Sequence, residues 1–72
     1  MKPEATQALG MAISKRRRDD SLEKALGREI RKVKLSYEDY VEIMEMVRAH
    51  ARKHKLDAWE SAQQISKEQE EQ

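Results

Sequence analysis

His50 and His54 stand four residues apart, a spacing that puts two imidazoles on one helix face as metal ligands. A zinc-protease helix carries Glu directly after its first histidine, and here that position is Ala51. Arg48, Arg52, Lys53 and Lys55 crowd the pair, and their positive field opposes a bound dication. The pattern predicts two exposed helix-end histidines and no metal. Glu38, Asp39, Glu42 and Glu45 offer carboxylate pairs, but acid–base chemistry needs one acid buried so that its pKa rises, and no apolar surround accompanies them. Such a run implies a solvated face or a docking surface for a basic partner. No cysteine occurs, which removes thiolate nucleophiles, disulfides and thiolate metal sites together. Gly10 and Gly27 each stand alone in a helical pattern rather than in a phosphate-cradling loop, and no serine has a recognisable His and Asp setting. The expectation is a non-enzymatic protein with no catalytic residue and no cofactor.

The elements that must position any binding residues read as helices. Pro3 suits a first helical position, Glu4 favours the positive end of the helix dipole, and Ala5, Leu9, Ala12 and Ile13 follow at helical spacing. Gly10 weakens this first helix by on the order of 1 kcal/mol relative to Ala, so residues 1–16 are expected to fray or to order on contact. Asp20 with Glu23 resembles a capping pair for a second helix over 21–34, carrying Leu22, Ala25, Leu26, Ile30 and Val33 inward. Ser36 with Asp39 is the clearest helix start in the chain and opens a third helix over 37–54, with Leu35 placed to staple onto Tyr40. Tyr37, Tyr40, Val41, Met44, Val47 and Ala51 form its stripe, which Ile43 and Met46 widen beyond the cover of one neighbour. Asp57 with Glu60 caps a fourth helix bearing Ala58, Trp59, Ala62 and Ile65, and residues 66–72 are expected to form a disordered tail.

These elements make one small domain over 1–72, an all-α bundle of three to four short helices. The core is thin, because eight of its 27 apolar residues are alanine. Pairing two copies would bury more apolar surface, so a homodimer is expected, with Tyr40, Ile43, Met44, Met46 and Val47 as the dimer or partner face. The start Met-Lys-Pro-Glu-Ala-Thr-Gln lacks an apolar run of leader length, and no stretch of about 18 apolar residues appears. A cytoplasmic protein with no membrane association is expected.

Charge is the strongest remaining signal. The chain is 40% charged with a net of only +1, yet residues 1–34 hold ten basic and five acidic side chains while residues 35–72 hold five basic and nine acidic. A basic half can meet a phosphate backbone, the acidic half of its own fold, or a twin subunit. The candidate nucleic-acid-binding residues are Lys15, Arg16, Arg17 and Arg18 in a connector, Arg28, Arg31, Lys32 and Lys34 on helix 2, and Arg48 and Arg52 late in helix 3. DNA or RNA, bound by a small regulatory or accessory protein, is the first reading. The alternative is a protein-interaction adaptor that uses the acidic helix 37–54 and its apolar faces.

Arg31-Lys32-Val33-Lys34-Leu35-Ser36, followed by a long helix, a break and Asp57-Ala58-Trp59-Glu60, resembles the ribbon-helix-helix DNA-binding dimers over residues 31–65. That resemblance implies a strand at 31–35 pairing with its twin in the major groove, with Lys32 and Lys34 reading bases. The chain departs from the pattern in a helix about one turn too long and in lacking a glycine before the last helix. The resemblance and the helix over 21–34 compete for the same residues.

Overall fold

Pro3 at the first helical turn, with Glu4 behind it, opens α1 over Pro3–Ser14. The computed structural model describes residues 2–70, and within them α2 spans Leu22–Lys32, α3 Tyr37–His54 and α4 Ala58–Glu70. Among the described residues there is no strand, so the chain is all-helical with four helices. The strand expected from the ribbon-helix-helix resemblance is therefore overturned: Arg31 and Lys32 are the last turn of α2, and Val33 and Lys34 form the turn that follows.

The caps explain the boundaries. Ser36 accepts a hydrogen bond from the Asp39 N–H at 3.1 Å while the Asp39 carboxylate accepts from the Ser36 N–H at 3.2 Å, a complete capping box. Asp57 accepts from the Glu60 N–H at 2.8 Å and starts α4. At α2 the capping residue is Ser21, which accepts from the Lys24 N–H at 3.2 Å. Asp20, expected as the cap, is free for other partners.

Two helices end in the same way. Lys34 at φ 58° and Lys55 at φ 55° occupy the left-handed region, and Leu35 and Leu56 then donate back to the Ile30 and Ala51 carbonyls at 3.1 and 2.9 Å. This closure normally employs glycine, because a side chain in that conformation costs about 1–2 kcal/mol. We expect Lys34→Gly and Lys55→Gly each to stabilise the protein by about 0.5–1 kcal/mol. At ~4–8 °C per kcal/mol for a domain of this size, thermal melts resolve that rise in Tm.

Contacts link α1 with α2, α3 with α4, and α1 with α4. A Lys2–Asp39 ion pair at 3.1 Å sets the start of α1 beside the start of α3, and Trp59 at the start of α4 lies against Asp20 at the start of α2. Neighbours in the chain therefore run in opposite directions. The core is Ala5, Ala8, Leu9 and Ala12 from α1, Leu22, Ala25, Leu26 and Ile30 from α2, Ile43, Met44 and Val47 from α3, and Ala62 and Ile65 from α4. The alanines let α1 approach its neighbours closely, and a Cβ built on Gly10 would sit only 3.7 Å from the Ser66 hydroxyl. That packing opposes the fraying expected of 1–16, of which Met1 lies outside the described residues. Residues 66–70, expected as tail, continue α4 with Ser66 buried, whereas 71–72 lie outside the described residues. No helix among the described residues is long and apolar enough to cross a membrane.

Candidate nucleic-acid interface

The α1–α2 connector carries Lys15 to Arg18, and it is held by an anchor that local sequence does not announce. Trp59 donates its indole N–H to the Asp20 carbonyl at 3.2 Å, and the Arg16 guanidinium lies 4.7 Å above the Trp59 ring. Asp20 accepts from the Arg17 N–H at 2.8 Å, and both of its carboxylate oxygens accept from the Arg28 guanidinium, one of them at 3.2 Å. This fork-on-fork pair is nearly closed to solvent on the Asp20 side, whose side chain is 5% exposed. The bonded guanidinium, with the Arg17 N–H second, holds the Asp20 carboxyl down at about 2.

Asp20 therefore contributes stability that is fully present above its unfolded pKa of about 4 and is lost as pH falls through its folded value. Asp39, bonded by Lys2 and by Ser36, and Glu23, bonded first by its own backbone N–H and also by Arg48, are lowered in the same sense. Asp20→Asn is expected to lower the urea midpoint at pH 7, with the gap from the parent protein closing as pH is taken from ~4 towards ~2. A gap that is constant across that range would show that the Asp20 charge is not what stabilises the connector.

Because Trp59 joins the connector to the start of α4, Lys15, Arg17 and Arg18 lie at the same end of the bundle as Arg52, Lys53 and Lys55, which close α3 just ahead of α4. All six side chains belong to exposed residues, and among the described residues none lies within 4.0 Å of a carboxylate. The remaining expected cations divide. Arg28 is taken by Asp20, Arg48 pairs with Glu23 at 3.3 Å, and Lys32 pairs at 3.3 Å with Glu29, a buried acid that no local pattern marks. Arg31, Lys32 and Lys34 sit at the far end of α2, roughly 16 Å of helix from the connector at 1.5 Å per residue. The expected site is therefore two separate groups rather than one surface. Lys53 and Lys55, part of the basic run Arg48 to Lys55 legible in the sequence, join the first group, and only the fold adds Trp59 to it.

The expected dimer or partner face is likewise redistributed. Ile43, Met44 and Val47 are fully buried inside the monomer, Tyr40 and Met46 are half-buried against the same core, and Tyr37, expected inside, is 76% exposed. The first residue of α3 lies beyond the cover of α2, so the stripe it continues runs out into solvent.

His50 and His54 have ring centroids 4.4 Å apart. The His50 Nδ1 lies 2.8 Å from the Ser61 hydroxyl, which itself donates to the Val47 carbonyl at 3.0 Å. A hydroxyl has one proton, so His50 is the donor in the first contact. Ser61 is 0% exposed with its proton committed to backbone, so this serine–histidine contact ties α3 to α4 and supplies no nucleophile. Among the described residues no group of three or more His, Cys, Asp or Glu could hold a metal ion. Comparison of the chain with protein-family models, with curated proteins and with solved structures finds no significant match in any of the three.

Proposed function

We propose that this protein is a small regulatory or accessory factor, without catalysis of its own, that binds the phosphate backbone of nucleic acid at the end of the bundle where the α1–α2 connector meets the α3–α4 junction. The observation that carries this reading is the Trp59 anchor, which brings Lys15, Arg17 and Arg18 to the end of the bundle that holds Arg52, Lys53 and Lys55. Six exposed cations with no carboxylate partner among the described residues are a source of phosphate contacts, which carry no sequence information of their own. Affinity with little base preference follows. The protein acts as a homodimer in the cytoplasm, a compartment whose reducing conditions suit a chain without cysteine.

Titration of the full chain with random duplex DNA and with single-stranded RNA tests the proposal. With all six cations engaged on duplex DNA, affinity falls about a thousandfold between 50 and 200 mM salt. Absence of binding at low salt on both polymers would sink it. The adaptor reading keeps one specific support, the exposed Glu38, Glu42 and Glu45 on α3, none within 4.0 Å of a cation among the described residues. A protein working that way binds a basic polypeptide such as polylysine and ignores both nucleic acids.

A further inference from the structure

The face shared by α2 and the first half of α3 is under-filled. Glu23, Gly27, Ile30, Arg31, Tyr37 and Tyr40 line a groove of about 380 Å³ there, and a Cβ built on Gly27 meets nothing within 4 Å. On its rim stands Tyr37, the one large hydrophobic side chain among the described residues that is exposed, stacked on Tyr40 with ring centroids 5.8 Å apart. A projecting aromatic ring and a vacant groove of ample size for it thus adjoin on one face. A twofold contact requires that same adjacency, since the two copies must offer each other the same patch.

Charge points to the same occupant. The 3.3 Å pair between Glu23 and Arg48 fixes the relative level of α2 and α3, which run in opposite directions. Moving from that pair towards the α2–α3 turn, α2 presents exposed Arg31 and α3 presents exposed Glu38 within two residues of the same level. At these two levels the helices carry opposite signs. We infer that this groove is the seat of a second copy of the chain, related by a twofold axis along the groove, with Tyr37 of each copy entering the Ile30–Arg31 end of the other's groove. Such an axis lays α2 over α3 at equal height. Arg31 then faces Glu38 of the second copy, and Glu23 faces its Arg48.

This assignment deepens the homodimer part of the reading above and is separable from the nucleic-acid part. Tyr37 lies at the opposite end of α3 from Arg52 to Lys55, so a variant that abolishes pairing leaves the basic end intact for titration. Sedimentation of the full chain at tens to hundreds of micromolar is expected to give twice the 8.5 kDa chain mass. Tyr37→Ser, which removes the ring, and Gly27→Leu, which fills the groove, are each expected to weaken association about tenfold or more while circular dichroism shows undiminished helix. Arg31→Glu alone and Glu38→Arg alone are each expected to be monomeric. Mixed in equal amounts they are expected to regain the doubled mass, because every reversed charge then meets its opposite. A wild-type mass of 8.5 kDa throughout, full association of folded Tyr37→Ser, or failure of the mixture to pair would each overturn the assignment.

Discussion

Leu9→Ala is expected to unfold the protein at 25 °C. Leu9 is the one large side chain that α1 buries completely, at 0% exposure, and the other buried residues of that helix are Ala5, Ala8 and Ala12. Deleting three carbons from such a site costs about 2–5 kcal/mol, the upper values applying where neighbours cannot collapse into the space. Alanines cannot extend into it, so the upper part of the range is the relevant one. A domain of this length has only about 3–5 kcal/mol of net stability, and the loss consumes most or all of it. Circular dichroism should show the helical signal falling towards that of an unfolded chain, while Tyr37→Ser, at an exposed position, keeps it. If Leu9→Ala retains the parental urea midpoint, α1 is not part of the cooperative core, and the residues buried against it on α2 and α4 owe their stability to something else.

The second large effect is electrostatic. Replacing Arg17, Arg18 and Lys53 by Ala is expected to lower the slope of log affinity against log salt by about 0.9 for each duplex phosphate that is no longer neutralised. Because the counterion contribution vanishes towards molar salt, affinity near 50 mM drops roughly tenfold for each such phosphate. Two single variants provide an internal check. Lys34→Gly and Lys55→Gly relax the same backbone conformation, yet Lys55 belongs to the proposed interface and Lys34 lies at the other end of α2. Both should gain stability, while only Lys55→Gly should bind more weakly. Equal weakening in the two would mean that phosphates are met by net charge rather than by that end of the bundle.

The order and the starts of the helices are legible in the sequence because caps and 3.6-residue periodicity are local. Pro3, the Ser36–Asp39 box and Asp57 each mark a start within a few residues of the atoms they satisfy. The α2 start falls one residue later than the Asp20–Glu23 pattern implies, because Asp20 and Ser21 are adjacent and both are good caps. The position of Ser21 directly before Leu22, the first apolar residue of the periodic run, is the signal that favours it. What decides against Asp20 is a partner eight residues away, Arg28, together with Trp59 at a separation of 39 residues. Pairings at such separations depend on which helices come together, and local spacing holds no record of that. The same reason hides the burial of Glu29 and the exposure of Tyr37, since periodicity names a face but not how far along it a neighbour reaches. Ile43 and Met44 illustrate the converse, because a face too wide for one flanking helix is covered inside the monomer.

Trp59 is the only tryptophan in the chain, and it lies under Arg16 with its indole N–H on the connector backbone. Its emission therefore reports on this one junction and on no other part of the molecule. A ligand that draws Arg16 away, or shifts the Asp20 carbonyl, changes both the quenching and the polarity around the ring. The protein thus carries a built-in optical sensor at its basic end, readable without a dye or a tag and silent to events in the Tyr37 groove.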